Sequence, residues 1–169
     1  MSEPRNILTQ YIEDSMALLR TANIVLPQRA KANVYHHAGV ESIYRIGAMF
    51  INVVERDYCK SFVVMQAGQS YPSHFHRIKT ESMYALYGVL TITIDGVEHI
   101  LHPGEILHIE RGQDHAFYTE TGAVFEEIST TYILNDSVYL DAHIRQSPYT
   151  YRRTVINEQQ WEVMIHAEG

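Results

Sequence analysis

The sequence predicts an all-β domain, a sandwich or small barrel of antiparallel strands, preceded by one helix. Three observations carry this. From about Ile46, short runs rich in branched and aromatic residues follow one another, with turn residues roughly every 8–12 positions. No helical crossover interrupts them, which argues against a parallel α/β sheet. The length, 169 residues, suits one domain at roughly 100 to 200 residues per domain.

The helix comes first. Ile7, Leu8, Tyr11, Ile12, Met16, Leu18 and Leu19 recur at three- and four-residue intervals among Asn6, Glu13, Asp14 and Arg20. Pro4 suits its first turn and Pro27 closes the region. Its apolar stripe is expected to pack on a sheet or a second subunit. Residues 1–30 are thus read as an N-terminal helical segment, and 31–169 as one domain with a C-terminal extension. Within the domain, residues 49–54 and 61–65 read as strands. Leu90 to Ile94 alternates strictly, meets Asp95-Gly96, the favoured two-residue hairpin turn, and returns as Val97 to Leu101. Pro103-Gly104 turns the chain into Ile106 to Ile109, and residues 116–119 and 123–129 continue the pattern. From Tyr132 onward the sequence reads as polar and irregular, wrapping the sheet. Glu158 to Ile165 is either a closing helix or a strand.

Composition excludes several classes. Lys plus Arg number 13 against 20 Asp plus Glu, a net charge of −7, and no basic block offers to neutralise phosphates, so nucleic acid is not expected as a partner. No apolar stretch approaches the roughly 20 residues that span a bilayer, and Met1 to Arg5 lacks a secretory pattern. A cytoplasmic protein without membrane attachment is the expectation. Cys59 is the only cysteine, which rules out an internal disulfide and suits a buried apolar group. A sandwich or open barrel with a preceding helix leaves edge strands that need covering, so a homodimer is expected.

Ten histidines make spacing the important question. His74 and His76, two apart, project from one face of an extended strand. Glu81 lies five further on, so the chain must turn or bulge before Glu81, Met83 and Ala85 share a face of the next strand. His115, after Gly112-Gln113-Asp114, opens another strand. Three neutral nitrogens and one carboxylate suit one divalent ion, with manganese favoured and zinc, iron, nickel or cobalt possible. They leave coordination positions open, as a catalytic site requires. The surrounding pattern is Gly-x5-His-x-His-x4-Glu-x6-Gly from Gly68 to Gly88, then Gly-x5-Glu-x-Gly-x2-His-x3-Thr from Gly104 to Thr119.

These two stretches resemble the paired motifs of the cupin superfamily. The first matches at every defined position. The second has Glu110 where proline is usual and Thr119 where asparagine is usual, which spares the candidate ligands but loosens the turn. The resemblance implies a double-stranded β-helix, the cupin jelly roll, with a metal inside its mouth. Further stretches resemble the D-lyxose isomerase group of cupins: His74 to Glu81, Gly122 to Thr130, and Asn135 to Asp141. They are closer still to small cupin modules found with sialic-acid synthases, a likeness that also takes in His36 to Glu41 and Glu55 to Lys60.

The activity this implies is a metal-dependent aldose–ketose isomerisation of a small sugar through a cis-enediol. It needs a metal on two sugar oxygens, a base at the carbon and a proton donor or polariser at an oxygen. Lys79, on the turn between two ligands, could reach an oxygen. Glu126 and Glu127 point to opposite faces of their strand, so only one can be the base, and the isomerase pattern favours Glu127. Arg145, Arg152 and Arg153 could grip a carboxylate or phosphate, although a run of surface cations is the simpler expectation. His36 and His37 are read as a loop edge or interface, and Tyr84, Tyr87 and Tyr118 as packing residues with a possible role against a sugar. Two rivals stand beside the isomerase: a dioxygenase using the same ligands on iron, and a non-catalytic sugar-binding module of a nonulosonate pathway.

Overall fold

The computed structural model describes residues 4–130 and 133–166, with side chains from Ile7 onward. Tyr132, where the sequence reading starts its irregular extension, lies outside them. Helix α1 (Pro4–Thr21) is followed by β1 (Lys31–Tyr35), β2 (Ala48–Glu55), β3 (Tyr58–Met65), β4 (Ser70–His76), β5 (Glu81–Gly88) and β6 (Leu90–Ile94). Then come β7 (Val97–Leu101), β8 (Ile106–Ile109), β9 (His115–Tyr118), β10 (Ala123–Thr130), β11 (Ser137–Tyr139), α2 (Ala142–Gln146), β12 (Arg153–Ile156) and α3 (Glu158–His166). A seven-stranded sheet has the order β12-β1-β2-β3-β10-β5-β8, and a five-stranded sheet the order β11-β4-β9-β6-β7. Every pair of named strands is antiparallel. This is the expected jelly roll.

The burial of each sheet explains its sequence texture. Between the sheets lie Phe50, Val63, Met65, Met83, Ile92, Phe117 and Phe125. On the other face of the larger sheet, Ile51, Val64 and Val124 pack with Tyr11, Met16 and Leu19 of α1 and Trp161 of α3. Strands covered on both faces need no polar alternation, so Phe62 to Met65 reads as a continuous apolar run. Strand β6, covered on one face, keeps strict alternation of buried and part-buried residues. The apolar stripe of α1 therefore meets a sheet of its own chain, and Tyr11 anchors it by donating to Gln69 Oε1 at 3.1 Å.

The β6–β7 hairpin closes as expected, with Ile94 opposite Val97 and both Asp95 and Gly96 at positive φ. The C-terminal region departs from the reading. It is not an irregular wrap: β12 pairs with β1 at the edge of the large sheet and β11 with β4 at the edge of the small one. Glu158–His166 is a helix. Polar side chains hid these short strands because each is an edge with a partly open face.

Gly88 ends the first motif at φ +72°, and an added Cβ would stand 2.0 Å from the Gly122 carbonyl oxygen. Gly96, at φ +82°, faces open space. Gly88→Ala should therefore lower unfolding stability by more than about 2 kcal/mol, and Gly96→Ala by about 1 kcal/mol from backbone conformation alone. Urea denaturation of the two variants checks the difference.

Candidate functional site

Strand β4 carries the first two histidines. Its pairing with β9 slips between Tyr71 and His74, where Pro72 has no N–H for the ladder. The slip puts Tyr71, His74 and His76 on the buried side together. His115, at the start of β9, stands opposite His74. One nitrogen from each of His74, His76 and His115 lies within 4.8 Å of the others. All three rings are buried. The bulged turn expected between His76 and Glu81 is held by Asp136, whose carboxylate accepts from the backbone N–H groups of Arg77, Ile78 and Lys79 at 3.0–3.1 Å. Past that turn, Glu81 opens β5 with its oxygens 3.2 Å from His76 Nε2 and His115 Nε2.

The ring orientations are set from outside the cluster. Pro72 and Gln113 carbonyl oxygens lie 2.9 and 3.0 Å from Nδ1 of His74 and His115. A carbonyl only accepts, so Nδ1 carries the proton and Nε2 keeps its lone pair. His76 Nδ1 faces Ser137 at 3.4 Å and Asp136 at 3.7 Å. Inside the cluster, His76 Nε2, His115 Nε2 and both Glu81 oxygens are buried without a well-directed hydrogen bond. Their short approaches are charge contacts. Buried polar atoms this close, aimed at one point and unsatisfied, are a donor set that fits a cation. The three buried histidines could hold a metal ion.

Electrostatics favour neutral imidazoles at His74 and His76 beside a charged Glu81. Burial, reinforced by His115 and His76, holds the His74 imidazole well below its ordinary value. Burial also lowers His76, against the pull of Glu81, while at His115 Glu81 overcomes burial and raises the imidazole. Burial would raise Glu81, but Lys79, His115 and His76 hold it well below the carboxylate range.

Lys79 turns inward from the Asp136-held turn. Its ammonium donates to Glu127 Oε1 at 3.2 Å and contacts Glu81 Oε1 more closely still. Burial alone would lower Lys79, yet Glu127 and Glu81 raise it above its ordinary value. Glu127 shares a face of β10 with Phe125, and burial together with Glu81 pushes its carboxyl up to about 7. Glu126 points the other way, to the outer face, and pairs with Lys60 at 2.6 Å. It does not line the cavity.

The cluster opens into a cavity of about 330 Å³, within the range of small-molecule sites. Several residues stand differently from the sequence expectation. Tyr84, Tyr87 and Tyr118 are not on its wall; Tyr35, Tyr71, Tyr139 and Tyr149 are. Cys59 is half-buried and lines the cavity rather than filling the core. Arg145 is exposed, whereas Arg152 is buried and, with Arg153, lines the cavity, so they are no surface run. Asp136 was visible only as a member of a short polar stretch, and nothing in its spacing tied it to the turn. The two departures in the second motif are compensated. Gln113 Oε1 accepts from the Glu110 N–H at 2.8 Å, closing the turn, and Thr119 Oγ1 donates to the Val89 carbonyl at 2.8 Å.

His36 and His37 stand on the loop after β1, as expected, but both are buried rather than at an open edge. His37 stacks on Tyr35 at 5.6 Å and meets Tyr71 and Tyr139 at 4.9 Å, and neither ring nitrogen has a partner. Burial, with Arg152 and His36 adding repulsion, lowers its pKa to about 3 from an ordinary 6.5. The unfolded chain thus gains a proton below about pH 6.5 that the folded chain refuses. Stability from this residue is whole above that pH and drains as pH falls toward 3, by about 1.4 kcal/mol per pH unit. His37→Leu should flatten the acid limb of urea stability by that slope. An acid limb as steep as in the parent protein would contradict the account.

Comparison with known proteins agrees with this architecture. Residues 61–129 match the family model described as the cupin domain. Among solved structures, the L-ribose isomerase of Cellulomonas parahominis with L-ribose is similar at a TM-score of 0.67 and 14% identity, over 84% of this chain and 94% of that one. The same isomerase with no ligand gives 0.68 and 13% identity, over 85% and 95%. The Schizosaccharomyces pombe Cnp3 cupin domain gives 0.48 and 15% identity over 50% of this chain, which spans 65% of that domain's length. Search of the curated proteins finds no match to the sequence. Among the described residues, no helix is long and apolar enough to cross a membrane.

Proposed function

We propose that the chain is a metal-dependent sugar isomerase, with His74, His76, Glu81 and His115 holding one divalent ion. The observation that carries the reading is the Lys79–Glu127 pair, joined at 3.2 Å and touching Glu81 on the cavity side of the histidine cluster. A metal site alone suits many chemistries. A buried carboxylate and a buried ammonium beside it are the base and the oxygen-side donor that moving a proton between adjacent carbons requires. The bound ion would hold two neighbouring sugar oxygens and draw charge from them. Glu127 takes the proton from the carbon next to the carbonyl and returns it to the former carbonyl carbon, while the hydroxyl proton passes from the neighbouring oxygen to the former carbonyl oxygen. Lys79 hydrogen-bonds the oxygen where negative charge grows. Asp136 keeps Lys79 in place by holding the turn that carries it. The fold shared with an L-ribose isomerase supports starting with aldoses. Manganese is the first ion to try, and a cytoplasmic homodimer remains part of the proposal.

The test is incubation of metal-loaded protein with a panel of aldoses and sugar acids in deuterated water. Deuterium at the carbon beside the carbonyl, with no oxygen consumed, is the expected result. Oxygen uptake, or no exchange with any sugar, would overturn the isomerase.

A further inference from the structure

Arg152 presents a charge for which the described residues supply no counter-ion. The residue is 9% exposed, and its Nε is buried without a hydrogen-bond partner. Its guanidinium lies 5.2 Å from the Tyr139 ring centre and 5.4 Å from that of Tyr149. Ring faces soften a buried cation but do not neutralise it, and a guanidinium does not escape its charge by losing a proton. Among the described residues no carboxylate pairs with Arg152 or with its neighbour Arg153. Arg153 donates to Asn33 Oδ1 at 2.7 Å and lies 4.1 Å over Tyr149. Both arginines line the cavity, as does Lys31.

The acids of the same cavity are engaged elsewhere. Glu81 and Glu127 hold Lys79, and Asp136 holds the backbone of the turn. Glu55 is exposed and pairs with neither arginine. The cavity wall therefore carries both the histidine cluster and guanidinium groups that no described carboxylate compensates. Tyr139 touches both, stacked on His74 at 5.2 Å and 5.2 Å from the Arg152 guanidinium. Both groups thus share Tyr139 as a neighbour on one cavity wall.

We infer that the Arg152–Arg153 end is an anion site, and that the natural substrate is a sugar bearing a carboxylate or phosphate. The inference takes its sugar from the isomerase reading; the anion site itself does not depend on it. An oxyanion would supply acceptors to the Arg152 guanidinium, already desolvated and packed between rings, with Arg153 beside it. A neutral sugar would leave that charge buried and unpaired.

The experiment is calorimetric binding to the metal-loaded full chain. It uses matched neutral, uronate and 6-phosphate forms of glucose, galactose and mannose. In at least one series the anionic form should bind about tenfold or more tightly than the neutral one, and which anion wins separates sugar acid from sugar phosphate. Arg152→Gln should abolish the preference. Because Arg152 is packed between two rings, Arg153→Gln is the second variant, and it should reduce the preference severalfold with the melting temperature kept. The parent comparison needs neither variant. No anion preference in any series overturns the inference, as does a preference that survives in both variants. Anion-selective binding without deuterium exchange would sink the isomerase and leave the anion site standing. Exchange into neutral sugars with no anion preference would do the reverse.

Discussion

Glu127→Gln should slow isomerisation by about two to four orders of magnitude while metal stoichiometry stays at the parent value. The substitution keeps shape and a carbonyl acceptor for Lys79 but removes the only carboxylate on this face of β10, and an amide cannot take a proton from carbon. Lys79 retains its contact with Glu81, so the turn it sits on has no reason to move. Glu126→Gln is the control. It breaks the ion pair with Lys60 on the outer face, a part-exposed pair worth about 0–1 kcal/mol, and should leave the rate unchanged. If both variants turn over at the parent rate, proton abstraction belongs to another group. If only Glu126→Gln is slow, the orientation of β10 is wrong.

The contrast between those two neighbours shows what a sequence can express. Alternation along β10 implies that Glu126 and Glu127 diverge, but which one faces inward depends on the register against β3 and β5 and on what covers each side. Local signals were legible because their causes are local: the strict alternation around Asp95-Gly96, the spacing of His74 and His76, the apolar stripe of α1. The cavity wall was not. Tyr139 and Arg152 come from chain far beyond His74, and only the edge pairings β11–β4 and β12–β1 bring them beside it. His37 looked like a loop histidine for the same reason: its burial is created by Tyr71 and Tyr139. The arginines looked like surface cations because nothing near them in sequence reports that Tyr139 and Tyr149 close over one of them.

Adding a divalent ion to chelator-treated protein should raise its melting temperature, and His115→Ala should abolish the rise. The argument runs from unsatisfied atoms to stability. Two imidazole nitrogens and both Glu81 oxygens are buried without directed hydrogen bonds, and a carboxylate so placed costs stability that Lys79 only partly offsets. An ion binds the folded arrangement alone, because unfolding scatters His74, His76, Glu81 and His115 along the chain. At a free concentration 100 times its dissociation constant, it stabilises the fold by about 2.7 kcal/mol, or roughly 5–10 °C for a chain of this size. Calorimetric melting against manganese, iron, cobalt, nickel and zinc measures the shift and ranks the ions. His115→Ala removes one ligand and one of the two rings that touch Glu81. Metal titration of that variant should give a flat melting temperature even where its metal-free fold is intact. A full thermal shift in His115→Ala would move the ion away from this cluster, and no shift with any ion in the parent chain would remove the metal centre altogether.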